Sequence, residues 1–585
     1  MSERHFNLVT EPWIRVIDDQ NQEQTVSLET LFSNAGHYRQ LAGEMKSQDL
    51  AILRFLLAIL TTVYSRYDAA DQPYDWLEVD DQMRPLSFDD DAFDSEQRRI
   101  ENDLLTTWKK LYRAGRFSKV VVEYLHQYQD RFDLLSKDTP FYQVTREQYD
   151  SLVPQNKVVA KGKGVVAVKQ INRTISESNN KPDIFSPRTP EHKNDVSLAA
   201  LTRWLITYQN FTAVTDKTKV VAKEKFSISK GWLYGIDPVF VAGRNLFETL
   251  MLNLVLLPSK GAISEAMVNQ RPVWEFPITD YIKNRQDNSF PSDLAQLYTI
   301  WSRALHIEWD NDCPVIFSAG LPKLDNANAF LEPMTTWKLD KKTKEYKPRM
   351  RWLNSLGKSM WRNFGQYVRV TNSEDNSGNP EPGIVEWLAK LKARRCIERN
   401  LPIHLTTVGL VNDGNATSQS PVAEFYDELQ IKAAVLFDDN RFKANWWPRR
   451  IEDTVELTTK VGALIWHFAN NAGHLRGLND TGSFADKLSA RFYEQLNSPF
   501  YEWLAGLSNE DDRDEKVNEW KKTVNRIAIA TAMELLNTAT PLEIRGKVDK
   551  DKNETKNIFI YYRVFRSAVA KTLDLGGEKQ NESKN

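Results

Sequence analysis

Apolar positions divide this chain of 585 residues into two parts of different character. From about residue 450 they recur every three or four residues in the stretches 451–478, 484–507, 514–536 and 558–575. That period gathers them on one face of a helix. Gly, Pro or charged breaks at 479–482, 508–512 and 540–553 separate the stretches. Four such segments predict a C-terminal four-helix bundle over 441–578, followed by a polar, frayed tail at 579–585. Residues 1–440 instead alternate short strand-like runs with helices and long polar connections, which predicts a large, irregular α+β domain. The longest connections, 87–97, 172–194, 258–272 and 372–383, are dense in Asn, Ser, Pro, Gly or Asp. Loops of that length in a compact domain tend to be functional or disordered. The most apolar run, Leu50–Leu60, contains Arg54 and predicts a buried helix begun by Asp49. It is too short to cross a bilayer, which takes about 20 residues. Residues 6–16, with β-branched and aromatic side chains around Pro12, predict a short extended strand in which Pro12 sits at an edge or a bulge.

Composition narrows the function classes. The net charge is −2, from 77 basic and 79 acidic residues, whereas a protein that binds DNA alone is usually basic. Any nucleic-acid contact is therefore local or shared with partners. Two cysteines, Cys313 and Cys396, cannot complete a four-ligand zinc site by themselves and read as reduced thiols of a soluble cytoplasmic protein. Gly357-Lys358-Ser359 ends like a phosphate-binding loop, but Trp352 stands where that loop needs its first glycine. Gly162 and Gly164 lack the third glycine of a dinucleotide site. The eight histidines form no HExxH pair, and there is no Gly-x-Ser-x-Gly elbow. No catalytic residue, metal ligand or cofactor site is expected, and the chain is read as a non-enzyme.

Local charge is more informative. Lys157, Lys161, Lys163, Lys169 and Arg173 fall in a stretch free of acids. Residues 338–351 hold seven basic residues against Asp340 and Glu345, with Trp337, Tyr346 and Trp352 interleaved or flanking. A third lysine-rich loop spans 217–230. Lysine and arginine neutralise phosphates, and aromatic rings can stack on unpaired bases. For any one run a solvated surface is an equal reading; three in a near-neutral chain favour nucleic acid.

Phe6-Asn-Leu-Val-Thr-Glu-Pro-Trp-Ile-Arg-Val16 resembles the opening strand of the CasA family, the large subunit of the type I-E CRISPR Cascade complex. The resemblance returns in order at Pro140-Phe-Tyr-Gln143, at Gly235-Ile-Asp237 leading to Leu250–Pro258, and at Pro272-Val-Trp-Glu275. It implies a large N-terminal domain followed by a helical bundle, with no catalysis. It also implies a role in reading the protospacer-adjacent motif on duplex DNA, starting R-loop formation and receiving a helicase-nuclease. Such effectors leave sequence reading to guide pairing. The implied partners are the other Cascade subunits, the 5′ handle of the crRNA, double-stranded target DNA and the helicase-nuclease, with no membrane.

Three family elements map onto this chain. The loop that enters the neighbouring subunits and touches the crRNA handle corresponds to Ile184, Phe185, Ser186, Pro187 and Arg188, before a helix expected at 197–208. The glycine-rich loop after that helix corresponds to 212–219, with Thr215, Lys217, Thr218 and Lys219 as DNA contacts. It contains no glycine, a departure that weighs against close backbone approach and leaves phosphate contacts by Lys217 and Lys219 as the alternative. A family lysine after a Phe-Leu pair has Lys338 as its candidate. The hairpin that wedges under the motif corresponds to a strand at 405–411 leading to Asn412, Asp413, Gly414 and Asn415, a strong turn signal. Two other readings stay open: a scaffold that binds only proteins or crRNA, and a metal-dependent nuclease.

Overall fold

The computed structural model describes residues 5–575 apart from 87–94, 167, 172–191, 193, 213–216, 259–262, 288–289, 311–312, 369–379, 413–420, 441–444 and 550–553. The fold is mixed α+β with a helical C-terminal region. The chain divides into two compact units. One takes residues 1–355, 379–396 and 405–427; the other takes 356–378, 397–404 and 428–585.

The core of the first unit is built on helix Lys46–Tyr64, whose residues from Leu50 to Tyr64 are all buried. It runs for 19 residues, so it is longer than its apolar run and starts before Asp49, which sits in its first turn. By length and composition it could cross a membrane. Its apolarity is accounted for by burial against helices Leu198–Asn210 and Leu294–Tyr298. Two arginines of this region are fully buried as ion pairs. Arg54 donates to Glu332 at 2.5 Å and lies 4.4 Å from the Tyr298 ring centre. Arg66 donates to both oxygens of Glu275 at 3.0 and 2.9 Å, and to the carbonyls of Met83 and Gln270. Tyr124 completes the Glu275 carboxylate with a 2.6 Å bond, and the Trp274 indole donates to Tyr124 at 2.8 Å. Thus Trp274 and Glu275, from one of the family-like motifs, serve the interior of the fold.

The N-terminal segment departs from the expected single strand. Apart from an isolated antiparallel bridge between Asn7 and Asp133, strand pairing begins at Ile14, which opens the central strand of the sheet Glu23–Val26, Ile14–Asp18, Tyr38–Leu41. Ahead of it, the Asn7 side chain accepts from Val9 N–H and the Asn7 carbonyl accepts from Glu11 N–H, which closes a turn. Such a side-chain bond offers the backbone an alternative to the ladder. Trp13, fully buried, then bonds back to the Leu8 carbonyl at 3.0 Å. A second sheet has the order Val165–Val166, Cys313–Gly320, Arg303–Asp310.

The second unit holds helices Trp447–Arg476, Thr481–Gly506, Arg513–Asn537 and Ile558–Leu573, the first packing on each of the other three. Asp480, Asp512 and Asn557 cap the later helices with side-chain acceptors, and Gly477 ends the first in a left-handed conformation (φ +78°). At Gly462 the first helix passes so close to Tyr493 that an added Cβ would overlap its hydroxyl. The expected break at 540–553 is not all loop: a short helix Pro541–Arg545 and hairpin Lys547–Asp549, Glu554–Lys556 fill part of it.

Residues from 356–378 also belong here, which the helical periodicity does not signal. Trp361, fully buried, stacks on Phe500 at 4.4 Å and meets Trp520 edge-on at 6.5 Å. Its indole and the Ser359 hydroxyl both donate to Asn497, at 2.8 and 2.7 Å. The guanidinium of Arg362 lies 3.3 Å from the Tyr493 ring centre.

Candidate nucleic-acid interface

Strands Pro402–Asn412 and Pro421–Lys432 form the expected hairpin, and Phe240–Ala242 adds a third strand beside the first of them. Alternation in the second strand explains its setting: Phe425, Leu429 and Ile431 are buried, while Tyr426 and Gln430 are exposed. Asp413, Gly414 and Asn415 lie outside the described residues, as does the side chain of Asn412. Ile184, Phe185, Ser186, Pro187 and Arg188, and Thr215, also lie outside them.

What the structure does place is the base of this hairpin, which is held on both faces. On one face the Asp237 carboxylate accepts from Arg351 Nε at 2.9 Å and from the Thr407 hydroxyl at 3.1 Å. Arg351 also lies over the Phe425 ring, 3.6 Å from its centre. The Asp237 carbonyl accepts from Thr336, and its N–H donates to the Arg349 carbonyl. Burial pushes the Asp237 carboxyl above its usual range against the pull of Arg351. On the other face Glu424 accepts from the N–H groups of Ser47 at 2.7 Å and Lys46 at 3.3 Å. Beside them Lys46 sits 5.8 Å from the Tyr426 ring centre.

Asp49 lies in the same helix turn. Burial, with the Glu424 charge adding, pushes its carboxyl from 3.8 up to about 6, although Lys46 and the Gly43 N–H favour ionisation. A carboxyl that holds its proton more tightly when folded opposes folding once ionised. Its contribution to stability therefore falls as pH rises from about 4 to about 6 and is flat above, at roughly 1.4 kcal/mol per pKa unit. Asp49→Asn, which keeps an acceptor for Gly43, should be more stable than the parent at pH 7 and equal to it near pH 4. Melting curves of both across that range check this; a constant difference would refute it.

Converging on Asp237 is a basic hairpin, Trp337–Leu339 paired with Tyr346–Pro348, in which exposed Lys338 stands opposite Lys347. Lys347 is taken up by Asp340 at 2.9 Å. That bond, with N–H groups of Lys342 and Thr343, draws the Asp340 carboxyl down to about 2. The exposed cations of this hairpin are Lys338, Lys341, Lys342 and Lys344. Trp352, just beyond it, is half exposed.

The lysine loop after the helix is arranged less openly than its composition suggests. The helix itself spans Leu198–Asn210, capped by Ser197. Thr218 is buried and its carbonyl accepts from Gly320 N–H, so its side chain faces the interior. Lys219 Nζ donates to the Phe226 carbonyl at 2.6 Å and lies 5.0 Å from that ring's centre. Lys217 is exposed. Among the described residues no group of three His, Cys, Asp or Glu side chains is placed to hold a metal.

Several solved chains share this fold. The crystal structure of Thermobifida fusca Cse1 matches with a TM-score of 0.75 at 23% identity, over 98% of both chains. Cse1 from Acidimicrobium ferrooxidans gives 0.68 at 20% identity, over 98% of this chain and 99% of that one. A chain in a CRISPR RNA-guided surveillance complex gives 0.66 at 14% identity, over 97% and 99%. The family model of CRISPR-associated protein Cse1 matches residues 7–531, and the chain belongs to that family. The CasA/Cse1 protein of Thermus thermophilus is 23% identical over 274 residues, which is 46% of this chain and 42% of that relative's length.

Proposed function

We propose that the chain is a non-catalytic large subunit of a type I-E Cascade. In this reading it recognises a protospacer-adjacent motif on duplex DNA, helps begin the R-loop and offers a surface to a helicase-nuclease. The observation that carries the reading is the match, over nearly its whole length, to a chain of an RNA-guided surveillance complex. Its partners would be the other subunits, the crRNA 5′ handle at 184–188 and target DNA, in the cytoplasm.

The chain's own geometry supports a division of labour. The basic hairpin with Lys338 supplies phosphate neutralisation, which positions without reading sequence. Asn412, Asp413 and Asn415, in the polar sequence that links the two strands, would supply short polar groups for base edges and a wedge for one base step. Unstacking a step costs a few kcal/mol, least at flexible steps. Exchanging Asn412-Asp413 for Gly-Gly in the assembled complex should slow R-loop formation on linear duplex by about tenfold or more. A pre-opened bubble beside the motif should restore the rate, because it supplies the opening energy. Unchanged rates on closed duplex would defeat the wedge and favour a scaffold that binds only proteins or crRNA.

A further inference from the structure

Helix Lys46–Tyr64 lacks a cap of its own. Met45 occupies the N-cap position and offers no side-chain acceptor, although Ser, Thr, Asp or Asn there would satisfy a free N–H. The acceptor comes instead from Glu424, 377 residues further along the chain from Ser47. Its two oxygens take separate N–H groups, Ser47 on Oε1 and Lys46 on Oε2. A carboxylate at this end also meets the positive end of the helix dipole. Ser47 is fully buried and the helix beneath it is the core of the unit, so this anchor point has little freedom. Glu424 lies in the second strand of the long hairpin, next to Phe425, whose ring is covered by Arg351 on the opposite face. Successive residues of a strand point to opposite faces. Two neighbouring residues therefore pin the same strand from both sides.

We infer that Glu424 is a positioning residue for duplex opening: by capping helix Lys46–Tyr64 it fixes the hairpin Pro402–Asn412, Pro421–Lys432 to the core, so that the hairpin meets DNA as a rigid body. This rests on the wedge reading above and adds to it the source of the stiffness. A wedge that yields under load tilts away and leaves the base step stacked. The second face contributes too, since Thr407 of the first strand and Arg351 share one Asp237 oxygen.

The test compares Glu424→Ala and Glu424→Gln in the assembled complex, with the Asn412-Asp413 to Gly-Gly exchange alongside. Gln keeps an acceptor for one N–H but loses the charge. Glu424→Ala should slow R-loop formation on closed linear duplex by on the order of tenfold, with Glu424→Gln between it and the parent. Both should act at the parent rate on duplex carrying a bubble beside the motif. Amide exchange at Ser47 and along 405–411 should rise in Glu424→Ala. Equal slowing on closed and bubbled duplex would overturn the inference, since it would report lost assembly or folding. So would a parent rate on closed duplex for Glu424→Ala while the Gly-Gly exchange is slow. If the Gly-Gly exchange itself leaves closed-duplex rates unchanged, it is the wedge that fails, and the positioning role falls with it.

Discussion

Arg66→Met should unfold the first unit under conditions where the parent stays native, at a cost on the order of 3–5 kcal/mol. Arg66 and Glu275 have no exposed side-chain surface. Removing the guanidinium leaves a buried carboxylate whose remaining side-chain donor is Tyr124, and two carbonyls, of Met83 and Gln270, that lose their arginine bonds. Such a charge must be protonated or hydrated, and either route is expensive in an interior. A double change, Arg66→Met with Glu275→Leu, should recover a large share, because an apolar pair of similar volume has no charge to desolvate. Urea unfolding followed by tryptophan fluorescence would measure both. A single variant as stable as the parent would mean the pair is energetically neutral.

The second large effect is expected in the helical unit. Trp361→Ala removes a ring stacked on Phe500 and in contact with Trp520 and Tyr493, together with an indole bond to Asn497. Truncating a buried tryptophan costs about 3–5 kcal/mol. Amide exchange should accelerate in helices Thr481–Gly506 and Arg513–Asn537, which carry those partners. A fragment beginning at residue 441 should show the same defect, since it lacks Trp361 entirely. A fragment that melts as sharply as the intact helical unit would show that 356–378 adds nothing to its core.

These two sites also mark where sequence patterns stop being informative. The long helices were legible because Ile465, Phe468, Ala472 and Leu475 repeat with the helical period and bury one face. The hairpin at 402–432 was legible because a polar turn divides two strand-like runs. Trp361 was not, because a lone tryptophan in an irregular segment carries no period, and its partners lie more than a hundred residues away. The same holds for Asp237. Its place in a family-like motif is visible, but its bonds to Arg351 and Thr407 join residues 114 and 170 positions apart. In the lysine loop, composition does not signal that Lys219 donates to the Phe226 carbonyl or that Thr218 is buried. Glu424 looks like one acidic residue among several on a strand. Only the uncapped helix below explains it.

The position of Trp361 in the chain also has a consequence on the ribosome. Its partner Phe500 emerges well after it, and Trp520 roughly 160 residues after it; at about 5–20 residues per second that is a wait on the order of ten to thirty seconds. Through that interval the Trp361 ring, fully buried in the finished unit, lacks its Phe500 and Trp520 partners on the nascent chain. Holding chaperones would find their substrate there, and slow codons placed between 380 and 500 would lengthen the interval rather than shorten it.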